Sequence, residues 1–172
     1  MPLAALALGS NLGDRLNNLS AAIACLRQSI EILTLSPIYE TAPLYVVEQP
    51  AFLNMAILAR TELAPHQLLA RAKEVERGLG RQPTFRYGPR AIDIDILFVG
   101  AAVIATDDLE IPHPRLPERR FALAPLADIA PQWRHPVTGL TALEMLDLID
   151  QHNAGAISRL ADRLPIPAMT DC

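Results

Sequence analysis

Residues 87–97 read Tyr-Gly-Pro-Arg-Ala-Ile-Asp-Ile-Asp-Ile-Leu, and the alternation in this stretch leaves the fold little freedom. Side chains of a strand alternate between its faces, so Ile92, Ile94 and Ile96 point one way and Asp93 and Asp95 the other. The isoleucine face has to be covered, which makes the segment one strand of a sheet with a packed layer behind it. The other face presents two carboxylates about 7 Å apart along the strand. In apolar surroundings they repel each other and lose hydration, and a divalent cation relieves both costs. The competing reading is a pair of solvent-facing acids on an edge strand, each balanced by an arginine. The apolar run from Ile92 to Val99 speaks against an exposed edge. Hard oxygen ligands with no cysteine nearby favour Mg²⁺ over Zn²⁺.

What surrounds these acids is arginine. Of the fifteen basic residues fourteen are Arg, and Lys73 is the one lysine. A Walker-type phosphate loop and a protein-kinase-like site each need a lysine of their own in a loop or strand context. Lys73 lies instead in the helical-looking Arg71-Ala72-Lys73-Glu74. A Schiff-base enzyme would have to use that same residue, with no desolvated pocket suggested around it. Half of the arginines fall at 77, 81, 86, 90, 115, 119 and 120. The guanidinium fork holds phosphate oxygens by paired hydrogen bonds and stays charged at any working pH. Arg81, Arg86 and Arg90 flank the acidic strand directly, whereas Arg115, Arg119 and Arg120 must fold back to it. Each arginine alone reads as a surface charge. Acid pair and arginine loops together read as a polyphosphate site.

The net charge of −4 disfavours a nucleic-acid or anionic-membrane partner. Pro2 to Leu8 is apolar but breaks at Gly9-Ser10-Asn11-Leu12-Gly13, too early for a signal peptide or a membrane span. A cytoplasmic location is the expectation. With 172 residues and 51% hydrophobic content, one domain over 1–164 with a tail at 165–172 is expected.

The order of elements narrows the class. Residues 3–8 read as a buried strand, and Asp14 opens a helix whose apolar stripe is Leu16, Leu19, Ile23, Leu26 and Ile30. Glu31 to Glu40 and Phe52 to Thr61 read as strands. Pro65 starts a second helix with Leu68, Leu69, Ala72, Val75 and Leu79, ended by Gly78 and Gly80. The acidic strand follows, which gives β-α-β-β-α-β, the ferredoxin-like split arrangement. The predicted class is α+β, with helices on both sides of a mainly antiparallel sheet and a C-terminal β/α extension. That extension comprises a short hairpin-like element and a Pro-rich loop over 101–118, then helices at 122–129 and 140–149.

Two further groups carry possible chemistry. Phe52 and Asn54 share a strand face, offering a stacking surface beside a bidentate amide, a recipe for a flat heterocycle. They read equally as a core aromatic and a satisfied buried amide. His113, in Ile111-Pro112-His113-Pro114-Arg115, could donate to a phosphate, move a proton or simply brace a loop. Gly9 to Gly13 lacks dinucleotide spacing and reads as a plain turn rather than an anion site.

Taken in order, Gly9-Ser10-Asn11-Leu12-Gly13, Tyr39-Glu40-Thr41-Ala42-Pro43-Leu44, Gln49-Pro50-Ala51-Phe52-Leu53-Asn54, Gly88 to Leu97, Ile111 to Arg115 and Arg119-Arg120-Phe121 resemble one family. It is the 6-hydroxymethyl-7,8-dihydropterin pyrophosphokinase family of folate biosynthesis. The resemblance implies transfer of a diphosphoryl group from ATP to the pterin hydroxymethyl, releasing AMP, with Asp93 and Asp95 holding two Mg²⁺ ions. It implies a pterin site of Thr41, Ala42, Leu44, Phe52, Asn54 and Phe121. The ATP site it implies is Glu76, Arg81, Tyr87, Arg90, His113 and Arg119, with Arg81 and Arg90 also catalytic and residues 43–50 and 81–90 as mobile loops. A monomer is expected. Four positions depart from the family pattern. Pro83 replaces a frequent basic residue, Tyr87 a tryptophan, Pro114 an aromatic and Phe52 a tyrosine. These bear on rate and loop detail rather than on the reaction. Two rivals remain on the same frame, a nucleotidyltransferase or phosphohydrolase that needs no flat slot, and a ligand-binding module that needs no acid pair.

Overall fold

The first strand, β1 (Leu3–Ser10), alternates large and small side chains, and this decides which layer packs where. Ala4, Leu6 and Leu8 enter one core cluster, while Ala5 enters a second one with Ala7 at its margin. The computed structural model describes residues 1–43, 48–80, 88–151, 157–161 and 164–168. After β1 come α1 (Arg15–Leu26), β2 (Glu31–Leu35), β3 (Ile38–Thr41), β4 (Phe52–Arg60), α2 (Pro65–Gly78) and β5 (Asp93–Val99). A small hairpin of β6 (Ile104–Ala105) and β7 (Glu110–Ile111) leads through a 3-10 turn to α3 (Arg120–Ile129), α4 (Ala142–Gln151) and β8 (Ile157–Ala161).

The sheet order is β5-β1-β4-β3-β8, with β2 also on β4, and every pair is antiparallel. β4 is thus inserted between β1 and the β2–β3 strand line, as the split arrangement requires. α1 and α2 cover one face through Leu19, Ile23, Leu26, Leu68, Ala72 and Val75. α3 and α4 cover the other through Ala122, Leu123, Leu126, Met145 and Ile149. The α+β class with helices on both sides is borne out. Local signals set the helix starts. The Asp14 carboxylate accepts the Asn17 amide at 3.0 Å, and the Gln67 side chain accepts the Ala64 amide at 2.9 Å ahead of Pro65. Thr141 and Glu144 cap α4 reciprocally, at 3.1 and 2.7 Å.

Several expectations change. The single strand over 31–40 is two strands, because Pro37 has no amide to give the ladder and Ser36 supplies the missing bonds. Its hydroxyl accepts the Ala56 amide at 2.8 Å and donates to the Pro37 carbonyl at 2.7 Å, while its own amide reaches the Ala56 carbonyl at 2.9 Å. Leu16, assigned to the buried stripe, is exposed. β5 is an edge strand after all, but its free edge is covered. The Glu76 carboxylate accepts the Ile94 amide at 2.8 Å, and the His113 amide donates to the Leu97 carbonyl at 2.9 Å. β8, which the sequence reading omitted, pairs with β3. Beyond it, Leu164 packs against the α1–α2 core and Arg27 donates to the Pro167 carbonyl. Cys25 is disulfide-bonded.

Two stability predictions follow from these contacts. Ser36→Ala leaves the buried Ala56 amide unpaired and is expected to cost about 1–3 kcal/mol in denaturant unfolding. His135 is buried, and its Nδ1 accepts the Val137 and Thr138 amides at 3.2 and 3.3 Å. Burial lowers its pKa, so the unfolded chain takes up this proton first as pH falls. Its contribution is complete above about pH 6.5 and is lost below it. His135→Asn keeps an acceptor and cannot titrate. It should gain stability relative to the wild type as pH drops from about 7 to about 5. Trp133, stacked on Phe98 at 4.2 Å, reports the unfolding by fluorescence, and a pH-independent difference between the two proteins would refute the assignment.

Candidate active site

Strand register gathers the chemistry onto one sheet face. Asp93 lies opposite Gly9, Gly9 opposite Asn54 and Asn54 opposite Tyr39, so these four form a row running from β5 to β3. Directly opposed residues of antiparallel strands share a face. Asp95 lies opposite Ala7 in the next row, and Phe52 opposite Thr41 in the row on the other side. The isoleucines at 92, 94 and 96 are buried in the α1–α2 core, which leaves both aspartates on the α3 side, as the alternation requires. Gly9 and Ala7 are the floor between the acids and the amide. A Cβ on Gly9 would come 3.0 Å from Asn54 Oδ1, so nothing larger than glycine fits without moving that amide. Arg119 and Phe121, at the start of α3, close the space from above. The cavity measures about 200 Å³.

The charges are arranged around the acid pair. Arg90 Nη1 is 3.0 Å from Asp93 Oδ2, and Arg119 Nη1 is 3.4 Å from Asp95 Oδ2. Even so, burial and then the Asp93 charge push the Asp95 carboxyl up to about 6, against the pull of Arg119, Lys73 and Arg90. His113 Nδ1 accepts the Arg115 amide at 3.1 Å, which leaves the ring proton on Nε2, 3.9 Å from Asp95 Oδ2. Burial and the neighbouring Arg119 hold this histidine down at about 4, so it is neutral near pH 7. Arg119 lies 5.6 Å from the Phe121 ring centre, and its buried Nε has no hydrogen-bond partner. At the other end the buried Asn54 amide donates to Thr41 Oγ1 at 2.7 Å.

A divalent cation fits this donor set in one way. Among the described residues no three His, Cys, Asp or Glu side chains converge, so the chain offers two carboxylates and no closed cage. Mg²⁺ is commonly held by one or two carboxylates plus substrate phosphates and water. The unpartnered Arg119 Nε and the raised Asp95 match an anion arriving together with such a cation.

Of the residues singled out from the sequence, Thr41, Ala42, Phe52, Asn54, Arg90, Asp93, Asp95, His113, Arg119 and Phe121 all line this cavity. Glu76 does not. It is 2% exposed and spends its carboxylate on the Ile94 amide and on Lys73 Nζ, 3.1 Å away. Leu44, Arg81, Pro83, Arg86 and Tyr87 lie outside the described residues. Arg115 and Arg120 pair elsewhere, with Glu118 and Asp150. Ala7, Leu8, Gly9, Pro43 and Gln49 line the cavity although no ligand role was expected of them. Asn11, 1% exposed, has a role that the turn motif containing it does not announce. Its Oδ1 accepts the Arg90 amide at 2.8 Å, its Nδ2 donates to Gln49 Oε1 and the Pro50 carbonyl at 3.1 Å each, and its own amide reaches the Arg90 carbonyl at 3.1 Å. The Gly-Ser-Asn turn is therefore no anion site but a fastener between the flanks of the two loop regions. Its signal was a carboxamide one residue past a buried strand.

Comparison with known proteins agrees with this geometry. Residues 5–131 match the family model described as 7,8-dihydro-6-hydroxymethylpterin-pyrophosphokinase. The chain is 51% identical over 125 residues to the mitochondrial folate synthesis bifunctional protein of Pisum sativum, covering 72% of this chain and 24% of that one. It is 44% identical over 167 residues to a folic acid synthesis protein of Dictyostelium discoideum, covering 97% and 25%. It therefore spans about a quarter of the length of these longer relatives. The 2-amino-4-hydroxy-6-hydroxymethyldihydropteridine pyrophosphokinase of Bacillus subtilis is 46% identical over 132 residues, with 76% and 79% covered. A crystal structure of an HPPK-DHPS protein in complex with substrates has the same fold, with TM-score 0.74 at 17% identity over 88% of this chain and 44% of that one. Strand register, acid pair and sequence match converge on one assignment: the chain belongs to the 7,8-dihydro-6-hydroxymethylpterin-pyrophosphokinase family.

Proposed function

We propose that this chain transfers the β,γ-diphosphoryl group of ATP to the hydroxymethyl group of 6-hydroxymethyl-7,8-dihydropterin, giving AMP and the pterin methyl diphosphate in folate biosynthesis. The observation that carries the reading is the cross-strand row. It carries Asn54 to within two strands of Asp93, and Phe52, Thr41 and Phe121 line the same cavity as the two carboxylates, a lining that suits a flat heterocycle beside a metal-bound phosphate. A phosphohydrolase or nucleotidyltransferase on this frame has no use for that slot.

In this reading Phe52 and Phe121 sandwich the pterin, with Ala42 at its edge, while Asn54 and Thr41 hydrogen-bond its ring and set its rotation. Arg90 and Arg119 grip the phosphate oxygens, and the family resemblance adds Arg81 and Tyr87 to the nucleotide's partners. Asp93 and Asp95 would hold Mg²⁺, two ions in this reading, which would supply neutralisation of the triphosphate and polarisation of the β-phosphorus. The neutral His113 offers Nε2–H to a phosphate oxygen. The hydroxymethyl oxygen forms a bond to the β-phosphorus and its proton passes to water. The bond between that phosphorus and the α,β-bridging oxygen breaks, and the oxygen leaves on AMP. Catalysis is then mainly alignment and charge stabilisation. The proposal includes a cytoplasmic monomer without nucleic-acid or membrane partners, in line with the net charge of −4. No described helix is long and apolar enough to cross a membrane.

Incubation with MgATP and the hydroxymethyl-dihydropterin should yield AMP in step with pterin consumed. ADP, free phosphate or no turnover would overturn the assignment. Asp93→Asn and Asp95→Asn should each lower kcat by at least about 100-fold. Because burial and Asp93 disfavour the charged form of Asp95, Asp95→Asn should melt no lower than the wild type at neutral pH. A near-normal rate in either variant would remove the metal assignment. Gly9→Ala pushes against the Asn54 carbonyl and should raise the KM for pterin about tenfold while leaving that for ATP within about twofold. Equal changes in the two constants would contradict the floor assignment.

A further inference from the structure

α3 lies over the row that runs from Asp93 to Tyr39, and it is tied down at both ends. At the β5 end Arg119, its N-terminal neighbour, reaches Asp95 at 3.4 Å. At the β3 end the Tyr39 hydroxyl donates to Asp128 Oδ2 at 2.5 Å. Phe121 and Asp128 are seven residues apart, which places them on one face of the helix about 10 Å apart along its axis. Pro125 stands between them. Without an N–H it cannot serve the Phe121 carbonyl four residues back, so the helix's own bonding is interrupted just where Phe121 sits. The helix's buried surface in this region includes Ala122, Ala124 and Ala127, and the sheet beneath it includes Ala5 and Ala7. Leu123 and Leu126, fully buried beside them, seat the helix on the sheet. The polar ties then fix its height and rotation.

The two ties differ in what a substrate does to them. Arg119 is wanted by an incoming phosphate, and its buried Nε has no hydrogen-bond partner. Tyr39 and Asp128 do not line the cavity, and nothing that binds there competes for them. We propose that Tyr39 and Asp128 are positioning residues, a strut that holds α3, and with it Phe121, at the height of a single heterocycle while Arg119 turns from Asp95 to the nucleotide. The Tyr39 hydroxyl is suited to a permanent donor role. Burial, then the bond to Asp128 and its charge, push it up to about 12 despite Arg159 nearby, so it keeps its proton throughout the working range. Arg159 belongs to β8 and is paired with Tyr39 across the strands, which brings a segment beyond residues 5–131 to the strut.

This inference rests on the pterin reading of the slot, and the test separates the two. Binding of 6-hydroxymethylpterin is followed by its fluorescence in the wild type, Tyr39→Phe, Asp128→Asn and the double variant. Each protein is measured with and without Mg²⁺ and a non-hydrolysable ATP analogue, whose own affinity is measured in parallel. With nucleotide bound, Tyr39→Phe should weaken pterin binding about tenfold, the scale of one charge-assisted hydrogen bond, with nucleotide affinity within about twofold. Asp128→Asn keeps an acceptor and should lose less, and the double variant should lose no more than Tyr39→Phe alone. Pterin affinity unchanged in Tyr39→Phe, or pterin and nucleotide affinity falling together, overturns the strut. If Tyr39→Phe does not fold, Asp128→Ala carries the same two outcomes. A wild type that binds nucleotide but no pterin overturns the functional reading and the strut together, whereas a wild type that binds pterin beside unaltered variants overturns the strut alone.

Discussion

Two like charges on adjacent same-face positions of one strand cannot rest in a protein interior without compensation, and much of this molecule is arranged around that difficulty. Asp93 and Asp95 share the face of β5 that looks toward α3, and each already holds an arginine. The compensation is incomplete, as the upward push on Asp95 shows. A fully neutralised pair would be a structural feature with nothing to do. An unneutralised one would destabilise the edge of the sheet. The intermediate state is what a site for a cation carrying an anionic ligand requires.

The rest of the site follows from what lies beside the acids. β1 places Ala7 and Gly9 opposite Asp95 and Asp93, so a hollow opens where larger residues would have filled the layer. The same strand puts Leu6 and Leu8 on its other side, where they anchor the α1–α2 core. One strand therefore serves as floor of the cavity and as part of the core. β4 extends the floor with Asn54 and Phe52, and α3 supplies the ceiling. Distance between the polar and aromatic ends of the cavity is counted in strands, which hydrogen bonding fixes at about 5 Å each.

Much of this was legible in the chain. The facing of Asp93 and Asp95 follows from strand periodicity alone, and the helix starts at Asp14 and Pro65 follow from capping chemistry. The split order of strands follows from the sequence of apolar segments. What escaped notice was written in side chains that act as backbone. Ser36 interrupts a strand by taking over ladder bonds, and a serine among apolar residues carries no mark of doing so. Asn11 joins the flanks of two loop regions 38 to 79 residues away, a distance that local patterns do not report. β8 is short and depends for its existence on a partner strand more than a hundred residues earlier. Glu76 was placed at the nucleotide by family likeness, and only its bond to a strand amide reveals its other use.

That bond has a consequence of its own. The amide accepted by Glu76 is that of Ile94, the residue between the two cavity-lining aspartates. A third carboxylate, kept on the far side of the strand edge, thus grips the backbone at the midpoint of the other two. It works as a gauge block. The backbone between Asp93 and Asp95 is held from outside the cavity by α2, so the interval between the two carboxylates belongs to the scaffold.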